Sequence, residues 1–115
     1  MNHKSNIYVA GHNGLVGSAI VRELKKKGFK KIITATRSQL DLVNQEKVLK
    51  FLKKKRPDFI IIAAAKVGGI YSNNTYKGEF IYENLMIQSN LIHSAFLCKI
   101  KNLIFLGSSC IYPKK

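Results

Sequence analysis

Ile7-Tyr8-Val9-Ala10-Gly11-His12-Asn13-Gly14-Leu15-Val16-Gly17 decides how the rest of this chain is read. Four consecutive apolar residues, Ile7 to Ala10, predict a buried strand. Glycines follow at the spacing G-x-x-G-x-x-G, as Gly11, Gly14 and Gly17. The next residues place Val16, Ala19, Ile20 and Leu24 on one face, the pattern of an amphipathic helix. Three glycines alone would also suit an ordinary glycine-rich turn. Strand, glycine turn and helix in this order make the first βα unit of a dinucleotide-binding fold. Each glycine then has a physical task. Gly11 turns the chain sharply off the strand, Gly14 lets backbone approach a pyrophosphate, and Gly17 lets the helix pack closely. The free N–H groups and dipole of the first helical turn favour the phosphate charge.

The 115 residues make one domain, and 46% of them are apolar, enough for a core. No apolar run approaches the roughly 20 residues that span a bilayer, so no membrane partner is expected. The stretch before the first strand, Met1 to Asn6, is polar and short, unlike a secretory signal. Cys98 and Cys110 have no metal-ligand spacing, and His3, His12 and His93 are scattered, so no metal is expected. A cytoplasmic protein with reduced thiols is the expectation. The formal charge of +14 comes mainly from lysine runs, Lys25-Lys26-Lys27, Lys30-Lys31 and Lys53-Lys54-Lys55-Arg56. Such a balance raises nucleic-acid binding. The runs fall at predicted helix ends, where cations suit the dipole, and no aromatic residues interleave with them. A solvated lysine-rich surface with no nucleic-acid partner is the expectation.

The first helix is predicted over 15–27, stopping at Gly28. A second strand follows at 31–36, and Arg37 stands at its end, 20 positions beyond Gly17. There the fold meets the adenosine ribose. An acidic residue would select NAD, whereas Arg accommodates a 2′-phosphate and points to NADP(H). A plain surface Arg after a strand is the alternative. Asn44 is a candidate N-cap for a helix over 45–55 that Pro57 closes, with Val48, Leu49 and Leu52 facing inward. Residues 59–64, Phe-Ile-Ile-Ile-Ala-Ala, are apolar throughout, as in a strand covered on both faces. A polar loop over 66–77 leaves the ligand edge. A long helix over 79–98 carries one apolar stripe with Ile81, Leu85, Ile92 and Ala95 and others with Phe80, Ile87, Leu91 and Leu97, so it is apolar on most sides. Part of it is expected to cover the sheet and part to meet a partner subunit. A fourth strand over 102–107 leads to Ser108-Ser109-Cys110-Ile111-Tyr112-Pro113. The fold class is therefore α/β, a Rossmann-type doubly wound parallel sheet, with expected strand order 3-2-1-4. The chain reads as the N-terminal part of a longer protein.

The glycine motif, Ala63-Ala64-Ala65 after the third strand and Ser108-Ser109 after the fourth together resemble the extended short-chain dehydrogenase/reductases. Ala10-Gly-His-Asn-Gly-Leu-Val-Gly-Ser-Ala-Ile20, Ala63-Ala-Ala-Lys-Val-Gly-Gly-Ile70, Asn73-Asn-Thr-Tyr76, Phe80-Ile-Tyr-x-Asn84 and Leu106-Gly-Ser-Ser-Cys-Ile-Tyr-Pro113 narrow the resemblance. They are similar to the branch of NADPH-dependent 3,5-epimerase-4-reductases acting on GDP-4-keto-6-deoxy-D-mannose. Lys77-Gly78 departs from that pattern at a loop-to-helix junction.

The resemblance implies roles residue by residue. Gly11, Gly14, Leu15, Val16 and Gly17 would hold the pyrophosphate of NADP(H), and Arg37 its 2′-phosphate. Asp41 and Leu42 would lie near the adenine. Ala63, Ala64 and Ala65 would line the cofactor floor, and Asn84 would face the cofactor from the long helix. Ser108 would hydrogen-bond the substrate's C4 oxygen, and Cys110 would act as acid/base in epimerisation of a GDP-sugar substrate. Read without the resemblance, Ser108-Ser109 also fits turn chemistry and Cys110 an inert small residue. The family's Tyr-x-x-x-Lys pair and substrate domain have no counterpart in the 115 residues, so the chain alone is expected to lack turnover, and a full-length homodimer is expected. Two other functions fit parts of the pattern: another nucleotide-sugar epimerase or dehydratase, and a non-catalytic NADP-sensing regulator with no use for Ser108 and Cys110.

Overall fold

A computed structural model describes residues 3–63 and 77–106, without the side chains of 77–81. The elements run β1 (Ile7–Ala10), α1 (Leu15–Lys26), β2 (Ile32–Ile33), α2 (Gln45–Lys55), β3 (Phe59–Ile62), α3 (Lys77–Leu97) and β4 (Asn102–Phe105). All strand pairs are parallel: Tyr8 opposes Ile33 on one side and Ile60 on the other, and Ile61 opposes Ile104. The α/β class and the alternation of elements agree with the sequence. Ala64, Ala65, the 66–76 stretch, Ser108 and Cys110 lie outside the described residues, as do the side chains of Phe80 and Ile81.

The strand order is β2-β1-β3-β4, which corrects the expected 3-2-1-4. The cause lies in the covering of the two sheet faces. Alternation along each strand sends Ile7, Val9 and Ile61 to one face, against Ile20, Val21, Leu24 and Phe29 of α1 and the turn after it. Tyr8, Ala10, Ile60 and Ile62 point the other way, into a larger core with Val48 and Leu52 of α2 and Leu91 and Ala95 of α3. Right-handed crossovers on opposite faces advance the chain in opposite directions. The first crossover therefore puts β2 on one side of β1, and the second carries β3 to the other side. Burial gives the same answer. Ile60, Ile61 and Ile62 are all buried and need neighbours on both flanks, while Ile32 and Ile33 are half-buried, as suits an edge strand.

Local signals set the helix ends. The Asn44 side chain accepts the Lys47 N–H at 3.1 Å, capping α2 at its start. At its end Arg56 turns left-handed, φ 45°, and donates its N–H to the Leu52 carbonyl before Pro57. The Phe51 ring lies 5.0 Å from that of Tyr8, fastening α2 to the centre of the sheet. In α1 Gly17 is buried and Ile20, Val21 and Leu24 are half-buried against the sheet; Val16 and Ala19, expected on that face, are exposed. The close seating of Gly17 rotates the helix so that these two point away. β2 is shorter than the expected 31–36 because the Thr36 backbone is engaged in a turn: its N–H donates to Gln39 Oε1 and its carbonyl accepts the Leu40 N–H, both at 2.8 Å. Lys25, Lys26, Lys53, Lys54 and Lys55 occupy last helical turns, where the dipole favours them. Cys98 is buried in the core as a free thiol. Among the described residues no helix is long and apolar enough to cross a membrane.

Candidate functional site

The carboxyl ends of β1, β2 and β3 open on one edge of the sheet, and the chain reverses its direction of travel there. Ligands of open parallel sheets settle at such a point. A cavity of about 310 Å³ lies at this edge. Its wall at β1 is Gly11 to Gly14. Ala35, Arg37 and the 40–43 loop close the side beyond β2, while Ala63 and Ile87 close the side toward β3 and α3.

The β1 wall is built by the glycines. Gly11 has φ 89°, a conformation open to glycine and strained for most other residues. Its carbonyl accepts the Gly14 N–H at 3.0 Å, closing a tight turn. A Cβ on Gly17 would lie 1.9 Å from that same carbonyl oxygen, so α1 can seat against the turn only with glycine there. Gly14 is the N-cap of α1 and supplies no side-chain cap, and the first turn holds no acidic residue. The first-turn N–H groups are thus left to an anion or to water.

The opposite wall is a loop tied down in four places. Thr36 and Gln39 close the turn that carries Arg37. Leu40 is buried in the core. Asp41 Oδ1 accepts the Val43 N–H at 3.1 Å. The Asn90 amide of α3 donates to the Leu42 carbonyl at 2.8 Å. The cavity therefore combines an uncapped helix start, a guanidinium, a carboxylate and an apolar lining of Ala35, Leu40, Leu42, Val43, Ala63 and Ile87.

Of the residues singled out in the sequence, Gly11, Gly14, Arg37, Asp41, Leu42 and Ala63 line this one cavity. Gly17 lies behind the turn, and Leu15 and Val16 are exposed on the helix start, outside the lining. Asn84 is buried on α3, one turn before Ile87, and does not line it. Ala64, Ala65, Ser108 and Cys110 are outside the described residues. His12, to which the sequence attaches no chemistry, lines the cavity with Asn13. Ala35, Leu40, Val43 and Ile87 were not legible as lining residues. The one available signal was the run Leu40-Asp41-Leu42-Val43, which sets Leu40 and Val43 beside the two residues expected near the adenine.

The family model of the NAD dependent epimerase/dehydratase family matches residues 7–115. The chain belongs to that family. Among individual members of this family, the chain is 56% identical to GDP-L-fucose synthase 1 of Arabidopsis thaliana, with 99% of this chain and 36% of that protein aligned. Identity to the GDP-L-fucose synthase of Escherichia coli K12 is 50%, covering 96% of this chain and 35% of that protein. The solved GDP-mannoheptose C4 reductase of Campylobacter jejuni, with NADP bound, superposes with a TM-score of 0.89 at 46% identity, covering 98% of this chain and 36% of that one. The chain spans about a third of the length of these epimerase/dehydratase relatives.

Proposed function

We propose that the chain is the NADP(H)-binding part of a nucleotide-sugar epimerase-reductase of the GDP-L-fucose synthase kind. The observation that carries this reading is the meeting of Arg37 with the Gly11–Gly14 turn and the uncapped start of α1 around one cavity. That donor set fits the phosphates of NADP(H), and the apolar lining fits its adenosine. The C. jejuni reductase supports the choice of cofactor, since that protein was solved with NADP. When bound, NADPH supplies a hydride.

The chain's own residues then take the following parts. The Gly11–Gly14 turn and the N–H groups of Leu15, Val16 and Gly17 hold the pyrophosphate, and Arg37 holds the 2′-phosphate. Asp41 and Leu42 border the adenine, Ala63, Ala64 and Ala65 form the floor, and Asn84 of α3, outside the cavity lining, faces the part of the cofactor that extends beyond it. Protons at C3 and C5 of a 4-keto sugar flank the ketone, so removing one leaves an enolate that the ketone stabilises. Cys110 exchanges those protons as acid/base, since a thiol titrates nearer neutrality than a hydroxyl. Ser108 donates a hydrogen bond to the C4 oxygen as negative charge develops on it. The E. coli and Arabidopsis relatives support GDP-4-keto-6-deoxy-D-mannose as substrate and GDP-L-fucose as product. A cytoplasmic setting keeps Cys110 reduced, and the exposed Leu85, Ile92 and Phe96 of α3 offer a face for a second subunit.

Titration of the chain with NADPH and with NADH, before and after Arg37→Ala, tests the cofactor reading. NADPH should be preferred, and the substitution should cost it about tenfold or more in affinity while leaving NADH nearly unchanged. An unchanged preference would sink the assignment of Arg37. Activity is tested on the whole protein, with GDP-4-keto-6-deoxy-D-mannose and NADPH in deuterated water. Deuterium at C3 and C5 of the product marks an epimerase-reductase. Reduction without it would favour a bare C4 reductase, the reading that the C. jejuni protein suggests.

A further inference from the structure

We infer that Asn90 is a positioning residue for the adenosine side of the cavity; this rests on the cofactor reading above. Asn90 stands on α3 one turn beyond Ile87 and is 5% exposed. It does not line the cavity, yet its side-chain amide reaches the Leu42 carbonyl at 2.8 Å across 48 positions of sequence. Leu42 belongs to the 40–43 loop that walls the cavity beyond β2, and Leu42 itself is packed against the core.

The geometry gives this bond a directed effect. Asp41 folds the loop onto Val43, and Asn44 starts α2 immediately afterwards. These contacts are local and shape the loop without fixing its distance from α3. Leu40 anchors the near end by burial. Asn90 supplies a polar link between the loop backbone and the helix that also places Ile87 in the lining. Losing the donor leaves the half-buried Leu42 carbonyl seeking water, which draws the loop outward and widens the adenosine slot. The side chain of Asn90 itself touches no ligand in this arrangement.

Adenosine 2′,5′-bisphosphate, the adenosine half of NADPH, is the probe, with affinity measured calorimetrically beside thermal melting. Asn90→Leu removes the donor at similar volume and should weaken the bisphosphate about tenfold. Asn90→Asp adds a readout that a merely structural role would not move. Its ionised carboxylate cannot donate, but its protonated form can. Relative to the unsubstituted protein at the same pH, its affinity should be low at about pH 8 and recover toward about pH 5. If Asn90→Leu does not fold, the pH response of Asn90→Asp decides. Unchanged affinity in Asn90→Leu, or an Asn90→Asp deficit that ignores pH, overturns the inference. Failure of the unsubstituted protein to bind the bisphosphate overturns the cofactor reading, and this inference falls with it.

Discussion

Gly17→Ala offers the sharpest test of how the turn and the first helix are joined. The added Cβ would lie 1.9 Å from the Gly11 carbonyl oxygen, 2.6 Å from its carbon and 3.1 Å from the His12 Cα. All three are backbone atoms, so no rotamer change relieves the contact. Separations under 3.0 Å are essentially never seen for real Cβ atoms, so α1 and the turn must part by at least about 1.1 Å. Overpacking of this kind costs about 3 kcal/mol at the upper end of its usual range. Alanine returns about 1 kcal/mol through helix propensity. The expected net loss is about 2 kcal/mol, or about 10 °C in melting temperature for a domain of this size. The same displacement moves the first-turn N–H groups out of hydrogen-bond range of a phosphate, so NADPH affinity should fall by at least about tenfold. Gly14→Ala is the matched control. Its Cβ would meet the Gly11 oxygen at 3.4 Å, and its φ of −76° suits any residue. Stability should change by less than about 0.5 kcal/mol, while the methyl group, standing where the pyrophosphate approaches, still weakens NADPH. Urea unfolding and NADPH titration of both variants decide the matter. A Gly17→Ala protein as stable as the original, or a Gly14→Ala protein that loses more stability, would mean that α1 does not depend on the close seat at Gly17.

Three further outcomes follow from the packing. Leu52→Ala, at a fully buried position of α2, should cost about 2–5 kcal/mol in urea unfolding, the spread reflecting how far the site can collapse. Burial pushes the Tyr8 phenol well above its ordinary value of 10.0. Because the folded value lies above the unfolded one, the stabilisation is complete below pH 10.0 and is lost as pH rises beyond it. Tyr8→Phe should therefore become progressively more stable than the original protein in alkaline melts, and parallel pH profiles would contradict this. Arg56 holds a left-handed conformation, φ 45°, at the end of α2. Arg56→Gly should raise stability by about 0.5–1 kcal/mol, and a fall in the melting temperature would count against strain there.

Much of the site was readable because its geometry is local. The glycine spacing dictates a turn and a close helix seat within eleven residues. Arg37 is carried to the cavity by one βα unit and one strand, and the Asn44 cap with the Pro57 stop bounds α2 at 45–55 as expected. Leu15 and Val16 illustrate the limit. Their place beside the glycines suggests contact with ligand, but their side chains face solvent and the cavity lining stops at Gly14.

Sequence alone determined the local conformations, because backbone dihedrals, caps and the period of apolar residues depend on near neighbours. It therefore specified the α/β alternation, the Gly11 turn and the Gly17 contact. Tertiary structure decided which strands are neighbours, which stripe of α1 is buried, and how the 40–43 loop is held. Those outcomes depend on crossovers that place α1 on one face and α2 and α3 on the other. The link from Asn90 to Leu42 spans 48 positions. No periodicity in the sequence encodes that distance, and only the packing of α3 beside α2 brings the two residues together.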